Sequence, residues 1–93
     1  MKVFIAVASD YDSQTNLGVF ASYDSASECV RIAAEEEFKD LYVEMNRNYP
    51  EYHSFKLLIK EDFSGYCSEN AVWLIADGEN PSRQFEIEEW EVR

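Results

Sequence analysis

Basic residues are scarce in this chain. Lys and Arg number 8 against 19 Asp and Glu, which leaves a net charge of −11 in 93 residues. Ten acidic and six basic residues fall in 1–60 (net −4), whereas nine and two fall in 61–93 (net −7). The negative electrostatic field of such a chain repels nucleic acid and anionic membranes and attracts basic surfaces. The composition therefore argues against direct nucleic-acid or membrane binding and favours a partner that presents positive charge.

Glycine, histidine and cysteine are also few, which bears on catalysis. The 3 glycines are isolated from one another, so no glycine-rich loop can cradle a phosphate. His53 is the single histidine, and with Cys67 it would form a nucleophile–base pair that lacks a third, orienting group. Cys29 and Cys67 have no CxxC spacing, which predicts free thiols in a reducing compartment. We expect neither an enzyme nor a cofactor-binding protein.

Metal-binding and membrane-spanning patterns are missing as well. Asp10 and Asp12 begin like a calcium loop, but Thr15 stands at the position of the turn glycine. Ala21 stands at the position of the bidentate glutamate. The apolar run Val3–Ala8 is too short for a signal sequence or a membrane span. We therefore predict no metal site and a cytoplasmic location.

Hydrophobic residues make up 46% of the chain and aromatic residues 15%, too much for a disordered acidic tail. We predict a single domain over residues 1–93. Val3–Ala8 is apolar on both faces, as in an interior strand, and Leu17–Ser22 resumes the strand pattern. Between them, Ser9–Asn16 is rich in turn-forming residues. The chain is thus expected to begin with a hairpin that has a long polar loop.

A long helix is predicted from Ser25 to about Arg47. Ser25 and Glu28 have the spacing of a capping box, and the segment contains neither Gly nor Pro. Apolar side chains recur along it at helical spacing. They are Val30, Ala33, Ala34, Phe38, Leu41, Tyr42 and Met45.

Three further strands are predicted, at His53–Lys60, Ala71–Ala76 and Arg83–Val92. Loops are expected between them, at Ser64–Asn70 and Asp77–Ser82. The resulting order is β-β-α-β-β-β. We therefore predict an α+β domain, in which an antiparallel sheet of about five strands carries one long helix on one face.

In the last predicted strand, Arg83–Val92, the alternation of apolar and polar residues shifts by one position. Phe85 and Ile87 occupy one alternating set, whereas Trp90, which we expect to be buried, and Val92 occupy the other. A slip of this kind predicts a β-bulge at Glu88–Glu89, and bulges favour sheet edges.

With that bulge, four carboxylates of the last strand would project to one face: Glu86, Glu88, Glu89 and Glu91. Their spacing of roughly 6.6 Å resembles that of successive phosphates of a nucleic-acid strand, so the row could occupy a groove built of Lys and Arg. The alternative is a solvated acidic face. Further candidate partner-binding residues are Asp10, Asp12, Glu35, Glu36 and Asp40.

Five tyrosines are expected in or beside loops, where they could anchor an interface, line a ligand pocket or form the rim of the core. They are Tyr11, Tyr23, Tyr49, Tyr52 and Tyr66.

The chain opens with Met1–Ile5, continues with Gly18–Ser22 and the helix start Ser25–Glu28, and closes with Ile87–Val92. Together these segments resemble small acidic bacteriophage proteins. The resemblance implies a phage or mobile-element context, in which anti-CRISPR and anti-restriction proteins disable host defence by occupying nucleic-acid-binding surfaces.

The charge and the resemblance together predict a non-enzymatic anti-defence inhibitor. It would bind a basic, nucleic-acid-binding surface of a host CRISPR or other nuclease complex, partly by acidic mimicry of nucleic acid. One alternative is a sponge for a signalling nucleotide, against which stands the scarcity of Lys and Arg. Another is a dimerisation or accessory module, which an exposed edge of the last strand would permit.

Overall fold

The computed structural model describes residues 1–10, 12–48 and 55–92. They form β1 (Lys2–Ser9), β2 (Gln14–Phe20), α1 (Tyr23–Asn48), β3 (Phe55–Ile59), β4 (Ala71–Asp77) and β5 (Asn80–Glu91). A short 3-10 helix, Lys60–Asp62, follows β3. The strands pair antiparallel in the order β2-β1-β5-β4-β3, and α1 contacts all five. The predicted α+β fold and its element order are confirmed.

The first hairpin has a shorter loop than predicted. Asn16 pairs with Val7, and Gln14 pairs with Ser9, so β2 begins inside the segment expected to be loop. The remaining turn closes on Asp10, whose Oδ1 accepts hydrogen bonds from the backbone N–H groups of Asp12 and Ser13, at 2.9 Å each. An aspartate that binds backbone two and three residues ahead stabilises a tight turn. The hairpin therefore needs no long loop.

The helix starts one turn earlier than the predicted capping box. The backbone N–H of Ser25 donates to Ser22 Oγ at 3.2 Å, which makes Ser22 the N-cap and Ser25 the residue three positions on. Tyr23 then packs edge-on against Phe4, with ring centroids 5.9 Å apart. Glu28 is consequently not part of the cap and is available to other partners.

The core lies between α1 and the sheet face that the helix covers. Small helix residues, Ala26 and Ala34 on either side of Val30, are buried against Phe85 and Ile87 of β5. The alanines let the helix backbone approach the sheet closely, so that Phe85 is fully buried. Ala33, Phe38 and Leu41 of the predicted apolar stripe are partly buried against this core. Tyr42 is instead exposed, and the side chain of Met45 lies outside the described residues.

β5 is the central strand of the sheet, not an edge. Its pairing with β1 runs without interruption from Lys2↔Glu91 to Ser9↔Gln84. The predicted bulge at Glu88–Glu89 was therefore wrong, and so was the edge position. The irregularity in strand pairing nearest to the predicted bulge lies on the other side of β5, in β4 between Ala71 and Trp73. Among the described strands, β2 and β3 form the edges.

The sheet face opposite α1, termed the open face, is covered over one half by the chain itself. Between β3 and β4 the chain folds back across it. There the Ser68 N–H donates to Oε1 of Gln84, a side chain of the open face, at 2.8 Å. In the plane of the sheet, the Ile87 N–H donates to the carbonyl of Asn70 at 3.1 Å and extends the pairing of β4 with β5. Leu74, which lies on the open face opposite Gln84, is fully buried. The other half, at the end of the sheet where β5 finishes, is not covered by any described residue.

Gly65 lets this segment lie close to the turn between β4 and β5. A Cβ atom there would come within 2.5 Å of both the Glu79 carbonyl oxygen and the Phe63 ring. We expect Gly65→Ala to cost about 1–3 kcal/mol through overpacking. For a domain of this size, that loss lowers Tm by roughly 5–15 °C. Thermal unfolding followed by circular dichroism measures it, with the exposed neighbour Ser64→Ala as control. Equal Tm values for the two variants would contradict the close packing.

Candidate partner-binding surfaces

The four acidic residues of β5 do not share a face. Because successive side chains of an uninterrupted strand alternate, Glu86 and Glu88 lie on the open face, whereas Glu89 and Glu91 lie on the helix side. Glu89 Oε1 is 3.0 Å from Lys2 Nζ, and Glu91 Oε1 is 3.3 Å from the N-terminal ammonium group. The predicted row of four carboxylates was wrong, because it depended on the bulge.

Glu86 belongs to the interior of the sheet rather than to a contact surface. Only 7% of the residue is exposed, and its Oε2 accepts a hydrogen bond of 2.6 Å from the hydroxyl of Ser9, which is also buried. The two residues lie on neighbouring strands near the middle of the open face. Glu86 therefore links β5 to β1, and reversing its charge would damage the fold rather than test an interface.

Glu88 lies in the uncovered half of the open face, beside Trp90. The indole Nε1–H of Trp90 donates to Glu88 Oε2 at 3.2 Å, and 56% of Trp90 is exposed. The expectation that Trp90 is buried was therefore wrong. Val3 pairs opposite Trp90, and Ile5 lies between Glu88 and Val19, whose exposed fraction is 58%. We call these residues the open patch: Val3, Ile5, Val19, Glu88, Trp90 and Val92.

On α1, the acidic residues divide into paired and unpaired groups. Arg31 donates to Glu28 and, at 3.0 Å, to Glu35. These contacts raise the pKa of the guanidinium further, and the hydrogen bond from Arg31 lowers the pKa of the Glu28 carboxyl. Glu35, predicted to contact a partner, is thus already engaged within the helix.

The unpaired acids of the helix are Glu36, Asp40 and Glu44. All three are exposed, and none forms an ion pair with any residue that the structure describes. Because they are four residues apart, they follow one side of the helix, about 6 Å from one to the next along its axis. We call them the acidic stripe. The sequence analysis named Glu36 and Asp40 as candidate contacts, and Glu44 continues their spacing along the same helix face.

The two hairpin aspartates differ in role. Asp10 caps the turn and its Oδ2 is 3.2 Å from Arg83 Nη1. Arg83 also donates to both carboxylate oxygens of Glu37, at 2.8 and 2.9 Å, so it ties the hairpin loop and the helix to β5. Asp12 is exposed, and its carboxylate has no ion pair within the described part of the chain. Asp12 remains a candidate contact, whereas Asp10 is structural.

Asp10 should make stability depend on pH. The backbone N–H groups of Asp12 and Ser13 are the main cause that lowers the pKa of its carboxyl. A depressed pKa contributes stability that is present above the unfolded value, near pH ~4, and is lost as pH falls through the folded value. We expect Asp10→Asn to lower Tm near neutral pH and to melt like the parent protein in acid. The control is Asp12→Asn, which removes the same unit of charge and should leave Tm near neutral pH almost unchanged, because Asp12 is exposed and has no ion pair within the described part of the chain. A Tm difference for Asp10→Asn that is independent of pH would contradict this role.

Groups that could carry chemistry are sparse. Among the described residues, no three or more His, Cys, Asp or Glu side chains are placed to hold a metal ion. Cys29 and Cys67 are half-buried free thiols. His53, Tyr11, Tyr49 and Tyr52 lie outside the described residues. Of the remaining predicted tyrosines, Tyr66 is 93% exposed and Tyr23 packs against Phe4.

Comparison with known proteins gives no relative. No family model matches the chain, and neither the curated proteins nor the solved structures contain a match. None of the described helices has the length and apolar character needed to cross a membrane. The resemblance to bacteriophage proteins stays a prediction from the sequence.

Proposed function

We propose that this chain is a non-enzymatic anti-defence inhibitor of phage type. It binds a basic, nucleic-acid-binding cleft of a host nuclease complex, such as a CRISPR effector, and presents carboxylates where the cleft would otherwise hold phosphates. The observation that carries the proposal is the net charge of −11 together with a side of the helix whose carboxylates are not neutralised by any described cation. Such a surface is attracted to the cationic channels that hold nucleic acid in these complexes.

The spacing of the acidic stripe supports mimicry of a phosphate backbone. Glu36, Asp40 and Glu44 advance by about 6 Å per step along a rigid helix. Successive phosphates of one strand rise by about 3.4 Å along the axis while also winding around it, which brings them to a similar separation. Lys39 and Arg47 lie on the same helix, three residues after Glu36 and three residues after Glu44, and neither forms an ion pair with the stripe among the described residues.

The molecular dimensions also suit a cleft. The protein measures 51 × 23 × 23 Å, an elongated body that a channel can enclose from more than one side. The accessory-module alternative loses its main argument, because β5 lies at the centre of the sheet and offers no exposed edge.

The test is affinity purification from a host lysate with the tagged protein. We expect a nuclease complex to be retained at low salt and released as ionic strength rises, because the attraction of surface charges is screened within a Debye length. Added DNA or RNA should release the complex at constant salt. Recovery of a stoichiometric small nucleotide, or of the tagged protein alone, would contradict the proposal.

A further inference from the structure

The open patch is the uncovered apolar part of the sheet, and the charge that it carries is negative. On the open face of β2, β1 and β5 the charged side chains are Glu86 and Glu88. The cations of these strands, Lys2 and Arg83, belong to the helix side, where they pair with Glu89 and Glu37. Glu86 is satisfied by Ser9, so Glu88, which is half-buried, is the carboxylate of this face that remains for a partner beside the Trp90 ring.

We propose that the open patch binds an arginine side chain of the basic partner, with apolar neighbours of that arginine packed on Val3, Ile5 and Val19. The guanidinium would stack on Trp90 and donate to Glu88. The inference rests on the proposed function, since it names the part of the cationic cleft that meets this face while the acidic stripe meets the cleft on the helix side.

Arginine fits this patch better than lysine or a second copy of the chain. A guanidinium is planar, weakly hydrated and able to stack on an indole while it donates to a carboxylate, whereas an ammonium group is a strongly hydrated point charge. A second copy would bring another chain of net charge −11 to a face on which the described charged side chains are carboxylates. Charge complementarity therefore selects a cationic occupant.

The experiment uses short peptides of alternating Arg and Leu, with the same peptide carrying neutral citrulline in place of Arg as control. Binding is followed by the indole N–H signals in NMR spectra, in which Trp73 serves as an internal reference because it lies on the helix side. We expect the Arg peptide to shift the Trp90 signal saturably and the citrulline peptide to leave it unchanged. A Lys peptide should bind more weakly.

Matched variants separate the contribution of the open patch to binding from the contribution of the overall negative charge. Glu88→Gln leaves the indole ring in place and should weaken the Arg peptide about tenfold, because a charge-assisted hydrogen bond to the guanidinium becomes a neutral one. Glu79→Gln, in the exposed turn before β5, removes the same unit of charge and should change affinity by less than about twofold. Trp90→Phe should retain the fold, as judged by its Tm, and weaken binding less than Trp90→Ala. Equal effects of Glu88→Gln and Glu79→Gln, or an unshifted Trp90 signal, would overturn the inference. Dimerisation through this face in sedimentation would overturn it too.

The inference and the proposed function fail in different ways. If a captured nuclease complex binds the Glu88→Gln and Trp90→Ala variants as tightly as the parent protein, the arginine contact is wrong and the inhibitor role stands. If no basic complex is captured in a salt-dependent manner, the inhibitor role is wrong even where the Arg peptide binds Trp90.

Discussion

Phe85→Ala should leave much of the protein unfolded. Phe85 is fully buried at the centre of the sheet, where it packs among Ala8, Val30 and Ile75 beneath the helix. Removal of a buried phenylalanine side chain costs about 3–5 kcal/mol, because it loses apolar burial and leaves a cavity. A small domain has about 5–15 kcal/mol in total, and self-repulsion at −11 places this one low in that range. Urea unfolding followed by circular dichroism measures the loss.

The control is the other large aromatic residue of the same strand. Trp90→Ala should cost only about 1 kcal/mol, because more than half of Trp90 is already in water. The structure thus predicts a large difference between two aromatic truncations five residues apart. If Trp90→Ala destabilised the protein as much as Phe85→Ala, Trp90 would be buried and the open patch would not exist.

Reversal of the acidic stripe should abolish most partner binding. Glu36→Lys, Asp40→Lys and Glu44→Lys together change the net charge from −11 to −5, since each reversal adds two positive units. Each one turns an attraction into a like-charge contact with the cationic cleft, and we expect affinity to fall roughly a hundredfold. The fold should persist, because all three residues are exposed. Surface plasmon resonance with the captured complex measures the affinity.

A second triple charge reversal, at residues outside the acidic stripe, distinguishes a contact made by the stripe from a general effect of net charge. Glu61, Glu69 and Glu79 are also exposed, and their reversal to Lys gives the same net charge of −5. We expect a loss of less than about tenfold from this control, mainly through a slower association rate. If both triple variants lose affinity equally, the acidic stripe is not the contact and only the total charge matters.

Local patterns in the sequence were sufficient for the elements themselves. The helix follows from an unbroken run of helix formers with apolar residues at helical spacing, and the strands follow from alternation and bounding turns. The exact helix start could not be predicted, because Ser22 and Ser25 both have a capping pattern. The contact of Tyr23 with Phe4, nineteen residues apart, accompanies the earlier start.

Strand order and the acidic site depended on contacts between distant residues. The alternation of apolar residues changes before Trp90 because apolar residues lie on both faces of β5. In the sequence, such a change looks the same as one caused by a bulge. Arg83 binds Glu37 and Asp10, which are 46 and 73 residues away. Ser9 and Glu86 are 77 residues apart. No local rule could have shown that these carboxylates bind Arg83 and Ser9, whereas the exposure of Glu36 and Asp40 followed from their spacing along the helix.

We propose that the protein occupies the site where a defence nuclease holds nucleic acid. The direct measurement is competition, in which fluorescence anisotropy follows a labelled nucleic acid bound to the captured complex while this protein is added. The account predicts complete displacement, with an apparent affinity that weakens in proportion to the concentration of nucleic acid. A ternary complex in which the nuclease holds the labelled nucleic acid and this protein together would contradict it.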